Sequence, residues 1–129
     1  MKLLIDTHLL IWAADDSQSL PAVARDLMEN PENTPIFSVA SLWEIGIKGS
    51  LGRPDFQVDS RVLRRGLLDA GYEELSIQAA HAFEVITLPP LHKDPFDRIL
   101  IGQAVAEGII LLTHDDQIRQ YDVAPIRYV

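Results

Sequence analysis

The chain has 129 residues, and nineteen acidic against eleven basic side chains give it a formal net charge of −8 at pH 7. The length suits a single domain over residues 1–129, and the absence of cysteine excludes disulfides and thiolate metal sites. The acidic balance argues against a generally basic nucleic-acid-binding surface, although cations held in a local cleft could still receive a phosphate.

Predicted strands alternate with predicted helices throughout the chain, which indicates an α/β fold with helices on both faces of a parallel sheet. In chain order, the predicted elements are a strand at 2–6, a short helix at 8–14, a helix at 20–29, a strand at 35–38, a helix at 39–49, a helix at 60–70, a strand at 73–76, a helix at 78–85, a helix at 95–107, a strand at 109–113, a short helix at 115–120 and a strand at about 123–127. Residues 48–55 form the one connection that we expect to be flexible, as a lip over a cleft.

Two of the predicted strands lead into a carboxylate. The first strand ends on Asp6, and the strand at 109–113 is followed closely by Asp115. Because the carboxyl ends of parallel strands share one edge, where open α/β folds place their ligands, we expect both acids at that rim. Two further acids in apolar surroundings, Glu44 and Asp97, lie on predicted helices that start at the same edge.

Each acid also has a purely structural explanation. Asp6 could cap the helix that follows it, and Glu44 could pair with Lys48 one helical turn later. Asp94 could cap the next helix, with Asp97 in its first turn, where the helix dipole favours negative charge. Taken singly, each acid is better explained in this way.

Together, the four carboxylates would repel one another. Two unpaired charges about 4 Å apart repel by roughly 4 kcal/mol at an effective dielectric constant of 20, and helix starts are expected to keep these acids ionised. The sequence next to Asp6 and Asp115 offers threonine and histidine rather than lysine or arginine, so we expect a divalent cation. Oxygen-only ligands select Mg²⁺ or Mn²⁺, and half-open carboxylate sites for such ions hydrolyse phosphate esters.

Four segments resemble the motifs of PIN-domain ribonucleases. Residues 6–12 read DTHLLIW, similar to the opening of that family, and residues 92–98 read HKDPFDR, similar to a segment of one large branch of it. Residues 38–48 resemble the family's glutamate-bearing helix, and residues 113–115, with Tyr121, resemble its closing motif. The match is specific because the four motifs keep their order almost from end to end.

The resemblance implies a three-layer α/β/α PIN-like domain with a central, mostly parallel sheet, and an endoribonuclease that depends on Mg²⁺ or Mn²⁺. Its catalytic, metal-binding acids would be Asp6, Glu44, Asp97 and Asp115. Supporting positions, which would join or orient those acids, would be Asp94, Thr113 and Thr7. Two basic side chains are weaker candidates for contact with RNA phosphates, since an ion pair or a solvated loop also explains them: Arg98 and Lys48.

Short bacterial members of this family are usually VapC-type toxins, so the resemblance also implies a cognate antitoxin protein and a homodimer. The apolar surface predicted for segments 9–14, 20–28 and 42–47 favours such interfaces. No apolar run approaches the length of a membrane span, and the lack of cysteine suits the cytoplasm, so we expect a cytoplasmic protein without a membrane partner.

Hydrolysis is expected to use a water molecule activated by the metal, so that no histidine is needed as a base, and His8, His92 and His114 are not assigned to the metal set. Two alternatives stay open: a non-catalytic PIN-like binding scaffold, and a DNA-directed nuclease of the same fold.

Overall fold

Strands and helices alternate along the computed structural model, which describes residues 1–123 and 125–129. The strands are β1 (Lys2–Ile5), β2 (Thr34–Ser38), β3 (Glu73–Leu75), β4 (Ile110–Thr113) and β5 (Ile126–Tyr128). The helices are α1 (Thr7–Ala14), α2 (Ala22–Glu29), α3 (Val39–Ser50), α4 (Ser60–Asp69), α5 (Ala79–Thr87) and α6 (Pro95–Glu107), with short 3₁₀ turns at Pro54–Phe56 and Ile118–Gln120.

The five strands form one sheet in the order β3-β2-β1-β4-β5, and every pairing is parallel. The apolar run of β1 lies at the centre because its side chains are buried on both faces, as parallel sheets require. Leu3 and Ile5 pack against α1, α2 and α4, whereas Leu4 packs against α6 on the other face. The predicted three-layer α/β/α fold with a mostly parallel sheet is confirmed.

The predicted flexible lip is wrong for most of its length. Its first residues continue α3 as far as Ser50, and its last residues enter the turn at Pro54–Phe56. The Phe56 side chain is buried, and the Gln57 amide donates hydrogen bonds to the carbonyl oxygens of Gly49 and Arg53 at 3.0 and 2.9 Å. A buried anchor and two backbone contacts therefore fix this segment.

Two predicted boundaries also differ. The short helix expected at 115–120 is only the 3₁₀ turn at Ile118–Gln120, and the last strand lies at Ile126–Tyr128. The strand predicted at about 123–127 includes Ala124, which lies outside the described residues. Within those residues, no helix is both long and apolar enough to cross a membrane. The parallel sheet brings the residues that follow β1, β2 and β4 to one edge.

Candidate active site

Asp6 and Asp115 are joined at the sheet edge through Thr113. Asp6 is buried directly after β1, where one carboxylate oxygen accepts the backbone N–H of Thr7 at 2.7 Å. Its other oxygen accepts the Thr113 hydroxyl at 2.7 Å, and that hydroxyl oxygen accepts the backbone N–H of Asp115 at 3.0 Å. The Thr113 hydroxyl therefore bridges the Asp6 carboxylate and the backbone of Asp115. The Thr7 hydroxyl instead donates to Ser41 at 2.8 Å, so Thr7 contacts an acid only through its backbone.

Asp94 and Asp97 lie at the start of α6. One oxygen of Asp94 accepts the backbone N–H groups of Phe96 and Asp97 at 2.8 and 3.1 Å, with Pro95 at the first helical position, as predicted for a cap. Asp97, in the first turn, is buried, and its Oδ2 lies 2.6 Å from Nε2 of His92. Asp97 thus faces the cluster, while Asp94 also caps the N-terminus of α6.

Glu44 brings a fourth element to the cluster from the middle of α3. Its side chain is only 3% exposed, and Oε2 lies 2.5 Å from the ammonium of Lys48, the predicted helical ion pair. The same ammonium lies 2.7 Å from Oδ2 of Asp94. The other carboxylate oxygen of Glu44, Oε1, is buried and has no hydrogen-bond partner among the described residues.

The acids converge as two overlapping groups. Single ligand atoms of Glu44, Asp94 and Asp97 lie within 4.8 Å of one another, and those of His92, Asp97 and Asp115 do the same. Asp97 belongs to both groups, so the two groups are contiguous. Asp6 is in neither group, but it lines a cavity of about 200 Å³ together with Asp115. All four predicted acids therefore border one site.

Burial and mutual repulsion strongly perturb these carboxyls. Burial, followed by the charges of Asp6, Asp94 and Glu44, raises the pKa of Asp97 to about 9. Burial also raises the pKa of Asp6 to about 6, against the opposing hydrogen bond from Thr113. Burial acts in the same direction at Asp94, but its hydrogen bond with Lys48 lowers the pKa overall. The expectation that helix starts keep all the acids ionised is wrong for Asp97, because burial and the neighbouring acids raise its pKa.

These residues fit a hard divalent cation. The donors are mainly carboxylate oxygens, and Oε1 of Glu44, which lacks a partner in the described part of the chain, is a buried acceptor that a cation would satisfy. After burial, the charges of neighbouring acids are the next contributions that raise the pKa of Asp97, and a cation would offset them. His92, which sequence reasoning did not assign to the site, lies beside Asp97, and only its position in the segment 92–98 pointed to it.

The two basic candidates are placed differently from the sequence expectation. The Lys48 side chain is 15% exposed and lies inside the acid cluster rather than on a solvated loop. Arg98 is turned inward, where its guanidinium donates hydrogen bonds to the carbonyl oxygens of Val85 and Pro89, both at 3.1 Å, and to the Tyr121 hydroxyl at 3.0 Å. Its donors brace the segment before α6, so we correct its role from phosphate contact to positioning.

Comparison with known proteins gives a family and a fold. The sequence matches the PIN domain family over residues 3–124. No curated protein matches the chain. Similar solved structures include VapBC2 from Rickettsia felis bound to a promoter DNA fragment, at 18% identity and TM-score 0.71, covering 99% of this chain and 98% of that one.

Two more structures share the fold. VapBC-5 of the VapBC toxin–antitoxin family, from Mycobacterium tuberculosis, has 17% identity and TM-score 0.64, covering 99% of this chain and 97% of that one. The PIN domain endonuclease Utp24 has 16% identity and TM-score 0.54, covering 92% of this chain and 74% of that one. At these identities the likeness concerns the fold.

Proposed function

This chain belongs to the PIN domain family, and on that premise we propose that it is an endoribonuclease that depends on Mg²⁺ or Mn²⁺. The observation that carries the proposal is the convergence of Asp6, Glu44, Asp97 and Asp115 from four separate elements, with a buried Glu44 oxygen that has no hydrogen-bond partner within residues 1–123 and 125–129. A binding scaffold would gain nothing from acids that raise one another's pKa.

Asp6, Asp97 and Asp115, together with Oε1 of Glu44, are the oxygens that we assign to the ion. When bound, the ion neutralises charge on the substrate phosphate and activates water for hydrolysis of the phosphodiester bond. Thr113 positions Asp6 and Asp115 relative to each other, because its single hydroxyl contacts the Asp6 carboxylate and the Asp115 backbone N–H. Because the cluster is acidic, it repels an RNA phosphate until a cation is present, which orders cation binding before substrate binding.

We also propose that the chain is a VapC-type toxin with an antitoxin partner and a homodimeric state. Support comes from the solved complexes named above, which are of similar length to this chain. Further support comes from an apolar row along α3 and its C-terminal cap, in which Trp43, Ile47 and Leu51 are exposed by 59, 43 and 75%. Apolar rows of this kind mark protein interfaces in soluble domains.

Mapping cleavage of total RNA tests the activity. We expect cuts with Mn²⁺ or Mg²⁺, none in excess chelator, and a loss of several orders of magnitude for Asp6→Asn, which keeps the size of the buried side chain. The matched control is Asp116→Asn, an exposed acid of the same rim that pairs with Arg119. Cleavage that persists in chelator, or 2′,3′-cyclic phosphate ends, would contradict the metal-dependent mechanism. Cleavage of DNA instead of RNA would favour the alternative nuclease.

A further inference from the structure

Lys48 is held inside the acid cluster by contacts on several sides. Its ammonium lies 2.5 Å from Glu44 and 2.7 Å from Asp94. The rings of Phe56 and Phe96 lie 5.1 and 5.6 Å from the same nitrogen, measured to their centroids, which suits a cation over aromatic faces. Two carboxylates and two rings therefore fix this positive charge in place.

The fixed charge divides the site into two halves. The lysine half consists of Glu44, Asp94 and Asp97, and it contains both acids that Lys48 contacts. The open half consists of Asp97, Asp115 and His92, with Asp6 beside it. Among residues 1–123 and 125–129, no lysine or arginine forms an ion pair with an acid of the open half.

We infer that Lys48 takes the place of a second metal ion, so that the site binds one divalent cation per chain, in the open half. An ion in the lysine half would have to displace the ammonium from two carboxylates and leave it half-buried beside another positive charge. That cost does not arise in the open half. The inference rests on the proposed metal-dependent function and settles the number of ions that this function uses.

Glu44 connects the two halves in this arrangement. Lys48 holds Oε2, and Oε1 is the oxygen of Glu44 that stays available for the ion. The lysine then has a positioning role, because it orients a metal-binding carboxylate through a helical ion pair. It also supplies a second positive charge to the site, which in two-metal phosphoesterases comes from the second ion.

Counting bound Mn²⁺ tests the inference without any substrate. Titration of metal-free protein, followed by electron paramagnetic resonance of free Mn²⁺, is expected to give one ion per chain. Lys48→Met keeps the length of the side chain and removes its charge, so two ions are expected. The matched control is Arg53→Met, which removes a cation that also lies over Phe56, at 5.1 Å, but pairs with Asp55 outside the cluster; it should bind one ion.

Two ions in the unaltered protein, or one ion in Lys48→Met, would overturn the inference. Lys48→Met leaves two carboxylates without their cation and is expected to melt at a lower temperature in chelator. Mn²⁺ should recover more of its melting temperature than it adds to the unaltered protein, whereas equal increments would contradict the exchange of lysine for metal. If Lys48→Met does not fold, the number of Mn²⁺ ions bound by the unaltered protein and by Lys48→Arg still tests the inference. Both proteins are expected to bind one ion per chain.

The same measurements separate this inference from the proposed function. An unaltered protein that binds no Mn²⁺ would remove the metal dependence, and the inference with it. An unaltered protein that binds two ions and cuts RNA would support the proposed nuclease activity and contradict only the role assigned to Lys48.

Discussion

Replacing Asp97 by asparagine should stabilise the metal-free protein at neutral pH. Burial and the neighbouring acids raise the pKa of this carboxyl from 3.8 to about 9. A carboxyl with a raised pKa binds more protons in the folded than in the unfolded state. Its contribution to stability is therefore complete below about pH 4 and is lost as the pH rises towards 9. Asparagine has the same shape and no charge to lose.

The size of the effect follows from the shift. One pH unit in this window costs the wild-type protein about 1.4 kcal/mol, so raising the pH from 5 to 7 costs up to about 3 kcal/mol that Asp97→Asn avoids. In a domain of this length, that corresponds to a gain of up to roughly 10 °C in melting temperature relative to the wild type. The assay is thermal or urea unfolding in excess chelator between pH 5 and 8, followed by circular dichroism.

Asp94→Asn is the matched control, with the opposite sign. The hydrogen bond with Lys48 lowers the pKa of Asp94, so its stabilising effect is present above 3.8 and is lost as the pH falls. Asparagine keeps the helix cap but loses the ion pair, and we expect a loss of about 1–3 kcal/mol at pH 7 that shrinks towards pH 4. The reasoning fails if Asp97→Asn is less stable than the wild type at pH 7, or if their difference is the same at pH 5 and 7.

Three further changes have defined outcomes. Thr113→Val removes the hydrogen bond to Asp6 and should weaken Mn²⁺ binding by roughly 10- to 100-fold, measured by calorimetry; unchanged affinity would deny Thr113 an orienting role. Mn²⁺ binding near pH 7 should release a proton because Asp97 is protonated without metal, so affinity should rise with pH, and calorimetry in buffers of different ionisation enthalpy detects this proton; an affinity independent of pH would contradict it. Gly102→Ala would place a methyl carbon 2.8 Å from Val85 where α6 approaches α5, and should lower the free energy of unfolding by about 1–3 kcal/mol in urea, with the Mn²⁺ count unchanged; a neutral effect would mean that the helices separate easily.

Local patterns were enough to predict the sheet and the positions of its acids. Asp6 and Asp115 follow apolar runs that are typical of buried strands, and Asp94 precedes a proline that starts a helix. The helical pair of Glu44 and Lys48 was predictable because it depends on a spacing of four residues.

Contacts between distant segments were not predictable in the same way. The contact of Lys48 with Asp94 spans 46 residues, and no local pattern encodes it. Arg98 looked like a surface cation because its partners are mostly backbone carbonyl oxygens. Every residue has a carbonyl oxygen, so these contacts leave no signal in the sequence. The burial that raises the pKa of Asp97 is likewise a property of the assembled site rather than of its neighbours in the chain.

The central place of β1 has a consequence for synthesis on the ribosome. One edge of β1 can pair with β2 early, but its other edge waits for β4, and Asp6 meets Thr113 across a sequence separation of 107. A nascent polypeptide therefore cannot bring Asp6 together with Thr113 and Asp115 until β4 has emerged from the ribosome. Until β4 pairs with it, this edge of β1 is open to pairing with other chains.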